Sequence, residues 1–345
     1  MTELVPAEGL ERVRRQWGVP AIVAGIVPAS GAPELLALGH RRRGHPEEQV
    51  QPGDAWHLGS CVKAFTAVAL ARLVERGDLS WDTPVTELFG DLEADPAWAE
   101  VPVEEVLRHQ AGFPANFDRA AMRAAFADER PLPERRTDAV AAVLAAPPQG
   151  RGRFVYSNLG FTAVGAAIER LTGSPFEQAL AELVLDPLDI TSAGLGAPAG
   201  IWGHRALVAG MGKGPGLDPA GLADNPLVMS PAGTFHMTTT DWARFLKLFL
   251  LGSDAPRLLE PSTIELLLGP RSSEPVPQGM GWGCARIEGV SFGHQGSNTA
   301  WVATALLSED RARAAIVAVN DGRTKLLRST AHLAAALLRG EGVGN

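Results

Sequence analysis

Three short groups of residues have types and spacing that could do chemistry. The first is Ser60-Cys61-Val62-Lys63, which follows Gly59 and opens an apolar run, 60–76, that ends at Gly77. Positions i and i+3 share a helix face, so the hydroxyl and the amine can meet. A helix N-terminus favours developing negative charge and offers free N–H groups to an oxyanion. A lysine partly buried there loses pKa and can take a proton from serine. The plainer reading makes Ser60 an N-cap and Lys63 a solvated residue of the first turn, but a first-turn lysine opposes the helix dipole. Lysine is also scarce: Lys63, Lys213, Lys247 and Lys325 are the only four among 31 basic residues.

The second group is Tyr156-Ser157-Asn158, which holds the only tyrosine and precedes a helical pattern starting near Leu159. A phenol beside an ammonium group can relay a proton for a serine, although a single tyrosine at a helix entry is more often structural. The third is Gly293-His294-Gln295-Gly296-Ser297-Asn298, expected where one strand ends and the next begins. There Gly296 would let a substrate approach the backbone closely. For His294 alone, as for His57, His109, His204 and His236, a structural role is the commoner use. None of these histidines has zinc-type spacing and there is no His-Glu-x-x-His, so no metal is expected. No Gly-x-Ser-x-Gly elbow, no dinucleotide fingerprint and no phosphate loop occur, so an α/β-hydrolase and nucleotide chemistry are disfavoured and no cofactor is implied.

These groups must be positioned by the elements around them. At 345 residues, with 46% hydrophobic and 20% charged residues, the chain can build a sizeable core in two lobes. Apolar runs at 20–27 and 34–38, separated by a Pro- and Gly-containing turn, read as a hairpin. Helical patterns cover 3–17, 60–76, 103–109, 137–145, 159–172, 175–184 and 239–251. A Gly- and Pro-rich excursion fills 197–226. Strands are expected over 280–287, 299–307 and 312–320, with a closing helix over 324–339. The fold class is therefore α/β in the α+β sense. An antiparallel sheet built from both termini (1–70 and 231–345) is flanked by the terminal helices, and 71–230 form a mostly helical lobe. Net charge is −8 and no basic stripe carries interleaved aromatics, so nucleic acid is not an expected partner. No run of 18 uncharged apolar residues suggests a membrane span. The mixed charges of the first helix do not suit a signal peptide, and two distant cysteines, Cys61 and Cys284, suit a reducing compartment. The expected location is cytoplasmic.

Taken in order, the three groups resemble the motifs of the serine β-lactamase and penicillin-binding-protein superfamily. The likeness is greatest to its branch of class C β-lactamases, D-stereospecific peptidases and family VIII esterases. Ser60-x-x-Lys63 resembles its first motif, Tyr156-x-Asn158 its second, and His294-Gln295-Gly296 occupies the place of its Lys-Thr-Gly or His-Thr-Gly. Leu107-Arg108-His109-Gln110-Ala111-Gly112-Phe113-Pro114 and Pro231-Ala232-Gly233 also resemble recurring segments, so the likeness covers nearly the whole chain.

The resemblance implies the β-lactamase-like two-lobe fold and a set of roles. Ser60 is then the nucleophile of an acyl-enzyme, and Lys63 and Tyr156 handle its proton. Asn158 holds Lys63 or a substrate amide, the backbone N–H groups of Ser60 and Ser297 form the oxyanion hole, and His294, Gln295 and Gly296 bind substrate. Histidine is largely neutral at pH 7 and glutamine carries no charge. The expectation is therefore a small-molecule ester, amide or D-amino-acid peptide as substrate, with weak or no β-lactamase activity. An acyltransferase or cyclising enzyme using the same acyl-enzyme is one alternative, and a catalytically idle ligand-binding module is another.

Overall fold

Two runs of alternating or wholly apolar residues at opposite ends of the chain need partners, and they find each other. The computed structural model describes residues 5–207, 211–221, 223–269, 278–341 and 343. Its six-stranded antiparallel sheet runs in the order Glu34–Gly39, Ala21–Pro28, Arg313–Val319, Val302–Ser308, Val290–Ser297, Gly283–Cys284. The N-terminal hairpin joins the C-terminal strands through Ala21–Pro28, with Ile22 opposite Val319 and Pro28 opposite Arg313.

Successive side chains of a strand point to opposite faces, and here both faces are covered. Ile22, Ala24, Ile26, Val302, Leu306, Val317 and Val319 pack with Leu10 and Val13 of the helix Ala7–Trp17 and with Leu326, Leu333 and Leu337 of the helix Lys325–Leu338. Their neighbours Ala21, Val23, Val27, Ala303, Ala305, Ile316 and Ala318 face the other way, onto the large core around the helix Val62–Arg76. That helix buries eleven of its residues, from Val62 to Leu73, which needs the small residues Ala64, Ala67, Ala69 and Ala71 on its surface. A second, three-stranded sheet of Ala55–His57, Phe235–Thr238 and Gly194–Leu195 leads directly into the Ser60 turn.

Several expectations shift. The strand expected over 280–287 shortens to Gly283–Cys284, because Gly281 adopts φ +80 against the Lys63 carbonyl and breaks the run. Val290–Ser297 instead forms a full strand, placing the third motif within the sheet and not at a junction. The helix expected over 239–251 ends at Leu246 and continues as a 3-10 turn through Phe249. The helices Arg119–Ala127 and Pro261–Leu268 were not expected from the pattern. Within the 197–226 excursion, Gly203–His204 pairs with Gly216–Leu217, while 208–210 and 222 lie outside the described residues. Among the described residues no helix is long and apolar enough to cross a membrane.

Candidate active site

Ser60 sits in a 3-10 turn, Gly59–Cys61, immediately before the helix Val62–Arg76. Two glycines explain how that turn meets the sheet. Gly59 has φ +52, and a Cβ there would lie 2.5 Å from the Ser297 nitrogen. A Cβ on Gly296 would lie 1.9 Å from the Leu58 carbonyl oxygen and 2.6 Å from the Ser60 nitrogen. Real Cβ atoms do not tolerate such distances, so only a Gly–Gly crossing lets the backbones leading to Ser60 and Ser297 approach this closely. Gly296 thus serves the approach of one backbone to another, where sequence suggested approach of a substrate.

Lys63 is 1% exposed. Its Nζ lies 3.2 Å from Ser60 Oγ, 2.7 Å from Asn158 Oδ1 and 2.5 Å from the Ala232 carbonyl oxygen. Burial lowers its pKa from 10.5 to about 7. The three partners are not equivalent. Asn158 Oδ1 and the Ala232 carbonyl only accept hydrogen bonds, whereas a serine hydroxyl can also donate. When Lys63 is neutral it has two N–H bonds and one lone pair. The two N–H bonds go to Asn158 and Ala232, and the lone pair is left facing the Ser60 hydroxyl. An amine so held can accept that proton.

Three separate segments converge on this amine. Asn158 is the first residue of the helix Asn158–Thr172, whose start is capped by Ser157 Oγ accepting from the Gly160 N–H at 2.8 Å. Asn158 Nδ2 donates to Asn116 Oδ1 at 2.6 Å, which fixes the amide's orientation. The Pro231-Ala232-Gly233 segment is held to the same helix as Lys63 by Thr66 Oγ1, which donates to the Pro231 carbonyl at 2.7 Å.

Tyr156 places its ring 4.8 Å from Lys63 Nζ. Crowding of the phenol raises its pKa to about 12, against a hydrogen bond with Ser60 that lowers it. The residue as a whole is 41% exposed, and the phenol is protonated at neutral pH. His109 supports this ring from below. It lies in the left-handed region at φ +60, its ring centroid is 4.4 Å from that of Tyr156, and its Nδ1 accepts from the Ser157 N–H at 3.0 Å. Burial first, then the charge of Lys63, drives the His109 pKa down to about 3.

His294 and Gln295 depart from the sequence reading. His294 opposes Ala305 and so faces the Ser60 turn. Its Nε2 lies 2.7 Å from the Ser60 carbonyl oxygen, an acceptor, so Nε2 carries the proton and donates. Burial lowers its pKa to about 3, so it brings no positive charge, and its one N–H is committed to the protein's own backbone and not to a substrate. Gln295 opposes Thr304, on the other face of the sheet. Its Nε2 donates to Thr304 Oγ1 at 3.0 Å and to the Leu327 carbonyl at 2.6 Å, tying strand to C-terminal helix. Strand alternation commits its amide N–H groups to the protein, while the residue still borders the cavity that Lys63, Tyr156 and His294 line.

A relay of buried polar residues beneath the Gly59–Gly296 crossing was not legible beforehand. His57 Nδ1 accepts from the Gly59 N–H at 3.0 Å, so Nε2 carries the proton and donates to Asp224 Oδ2 at 2.7 Å. Asp224 Oδ1 accepts from Asn298 Nδ2 at 2.8 Å. Asn298 Oδ1 accepts from the amides of Ala300 and Trp301. One carboxylate therefore braces the neighbours of both Ser60 and Ser297.

A cavity of about 270 Å³ lies against Lys63, His109, Tyr156, Trp282 and His294. Among the described residues, His45, Glu47 and Glu48 could share a cation on a surface turn, and none of them lines this cavity. Cys61, next to the nucleophile, is buried and its thiol pKa is pushed up, which keeps it inert.

Comparison with known proteins gives the family and the fold. The profile of the family described as Beta-lactamase matches residues 11–339. An unguisins hydrolase of Aspergillus campestris is 28% identical over 285 residues, covering 78% of this chain and 51% of that protein. The chain thus spans about half the length of that relative. Penicillin-binding protein 4 of Amycolatopsis lactamdurans is 26% identical over 307 residues, covering 84% of this chain and 78% of the relative. The structure of D-amino acid amidase from Ochrobactrum anthropi superposes with a TM-score of 0.78 at 20% identity, covering 96% of each chain.

Proposed function

Because the chain belongs to the Beta-lactamase family, we propose that it is a serine hydrolase that cleaves small esters or amides through an acyl-enzyme on Ser60. The observation that carries this reading is the buried Lys63 amine, with a pKa of about 7 and its lone pair left to Ser60 by two obligate acceptors. In this mechanism neutral Lys63 takes the Ser60 proton as Oγ attacks the substrate carbonyl. The amides of Ser60 and Ser297 stabilise the oxyanion; losing one such donor typically costs about 3–4 kcal/mol. Tyr156, protonated and beside the serine, passes a proton toward the leaving group and is replenished by Lys63. Water then repeats the sequence on the acyl-enzyme. Asn158 is a positioning residue for Lys63.

Neutral His294 supplies no cation where the family often has one, and this disfavours tight binding of a penicillin-type carboxylate. Esters and amides without a negative charge are the preferred class. The test compares p-nitrophenyl acetate, a D-amino-acid amide and nitrocefin, with Ser60→Ala as control and an intact-mass scan for a fluorophosphonate adduct. The reading requires ester or amide turnover and adduct formation that both vanish in Ser60→Ala. Efficient nitrocefin turnover without esterase or amidase activity would sink the substrate assignment. An adduct that persists in Ser60→Ala would sink the nucleophile.

A further inference from the structure

The helix Arg119–Ala127 reads Arg-Ala-Ala-Met-Arg-Ala-Ala-Phe-Ala, yet none of its residues is buried. Ala121, Met122 and Ala125 are only half-buried, which leaves its apolar side incompletely packed. Beneath it lies a cavity of about 430 Å³, lined among others by Trp98, Ala121, Ala125, Ala139, Val143 and Leu159. A second cavity of about 400 Å³ shares Ala125, Asp128 and Arg135 with the first. Phe126 and Leu227, 44% and 39% exposed, stand over this second space. The first cavity is thus a largely apolar trough of the size that holds a small organic group.

The trough is built into the catalytic framework. The segment that forms its wall is joined to the Tyr156-x-Asn158 motif by three hydrogen bonds. Ser157 Oγ donates to the Pro114 carbonyl at 2.5 Å, the Asn158 N–H to the Ala115 carbonyl at 2.8 Å, and Asn158 Nδ2 to Asn116 Oδ1 at 2.6 Å. Asn116 and Leu159 both line the cavity. Asn158 is the residue that holds Lys63, so the cavity begins two hydrogen bonds from the amine. At the rim, Arg130 is paired with Asp128 and Asp138 and Arg135 lies 3.9 Å from Asp128, so two cations meet two carboxylates and the interior is left apolar.

The geometry points to this cavity as the seat of an apolar substituent of the substrate, an alkyl chain of about six to ten carbons or an aryl group. The inference rests on the acyl-enzyme reading of Ser60 and names the substrate class that reading leaves open. Two ester series test it: p-nitrophenyl esters from acetate to decanoate lengthen the acyl side, and acetates from ethyl to octyl lengthen the leaving alcohol. In one series kcat/KM should climb about fourfold per buried methylene. Ala121→Phe and Ala139→Phe, on separate helices and away from Ser60, should each flatten that climb while holding the two-carbon ester within about twofold of wild type. Whichever series climbs assigns the side of the ester that enters.

A flat profile in both series, with acetate turnover that depends on Ser60, overturns the proposal. So does a climb that survives both substitutions. If no ester is turned over at all, the reaction assignment fails on its own. The cavity is then judged by calorimetry of octanamide on Ser60→Ala: binding that both phenylalanine variants abolish supports it, and no binding overturns it.

Discussion

If Lys63 is the base, replacing its amide partner with a carboxylate should disable it in a way that pH can reverse. Asn158→Asp preserves shape and keeps an acceptor 2.7 Å from Lys63 Nζ, and Asn116 can turn its own amide to donate to the new group. The change adds a full negative charge beside a buried ammonium. Unit charges about 4 Å apart interact by about 4 kcal/mol at an effective dielectric of about 20. The cost of burying the new carboxylate offsets part of this, so the expected rise in pKa is about 1–3 units. Lys63 would move from about 7 to about 8–10.

The sign follows directly. The active form is the neutral amine, so activity is lost as pH falls through the Lys63 pKa, and raising that pKa moves the loss upward. At pH 7 the neutral fraction would fall about fivefold to five-hundredfold, and kcat/KM with it, with recovery toward the wild-type plateau by about pH 10. The assay is blank-corrected kcat/KM for p-nitrophenyl acetate from pH 5 to 10, because this parameter reports the free enzyme's groups. A variant whose acid limb stays near pH 7, with the whole curve merely lowered, would refute the assignment of that limb to Lys63.

Three further substitutions separate chemistry from scaffolding. Gly296→Ala must push the strand away from the Ser60 turn, because its Cβ would meet the Leu58 carbonyl and the Ser60 nitrogen; kcat should fall about 10²–10³-fold, as for loss of an oxyanion donor, read by steady-state kinetics. Gln295→Ala should leave kcat/KM within about twofold, since its amide donates to Thr304 Oγ1 and the Leu327 carbonyl, while thermal unfolding shows a loss of about 1 kcal/mol. Asp224→Asn breaks one of the two bonds by which Asp224 links His57 to Asn298. It should cost about 1.5–3 kcal/mol of stability and lower kcat about tenfold with KM little changed, whereas a proportional rise in KM would place Asp224 in substrate binding.

The sequence made local relations readable and hid those that depend on register. Ser60 and Lys63 are three residues apart, so a helical period was enough to pair them. Tyr156 and Asn158 are adjacent to one helix start. The contact of Lys63 with Asn158 spans 95 residues, and that of His57 with Asp224 spans 167, distances over which periodicity carries no information. Asp224 was further concealed inside a Gly- and Pro-rich stretch that reads only as loop. The bonding of Gln295 was hidden for another reason. A strand carrying Gly293 and Gly296 has weak intrinsic preference for extended structure, and only pairing with Val302–Ser308 sets its register. Once that register is known, parity sends His294 toward Ser60 and Gln295 to the opposite face.

The groups around Lys63 share one property that ties its role to the whole site. A lysine can serve as base near neutral pH only if nothing nearby stabilises its charge strongly. Its polar partners are an amide oxygen, a main-chain carbonyl and a hydroxyl, which can hold the amine in place without a full countercharge. The two imidazoles nearby, His109 and His294, are themselves driven neutral by burial and by the lysine's charge. With no charge at His294, the pKa of Lys63 is set chiefly by its own burial. A cation at that position would lower the lysine further and anchor anionic substrates; a carboxylate would raise the lysine and silence it. On the proposed mechanism, a neutral His294 thus favours substrates whose carbonyl becomes charged only during the reaction.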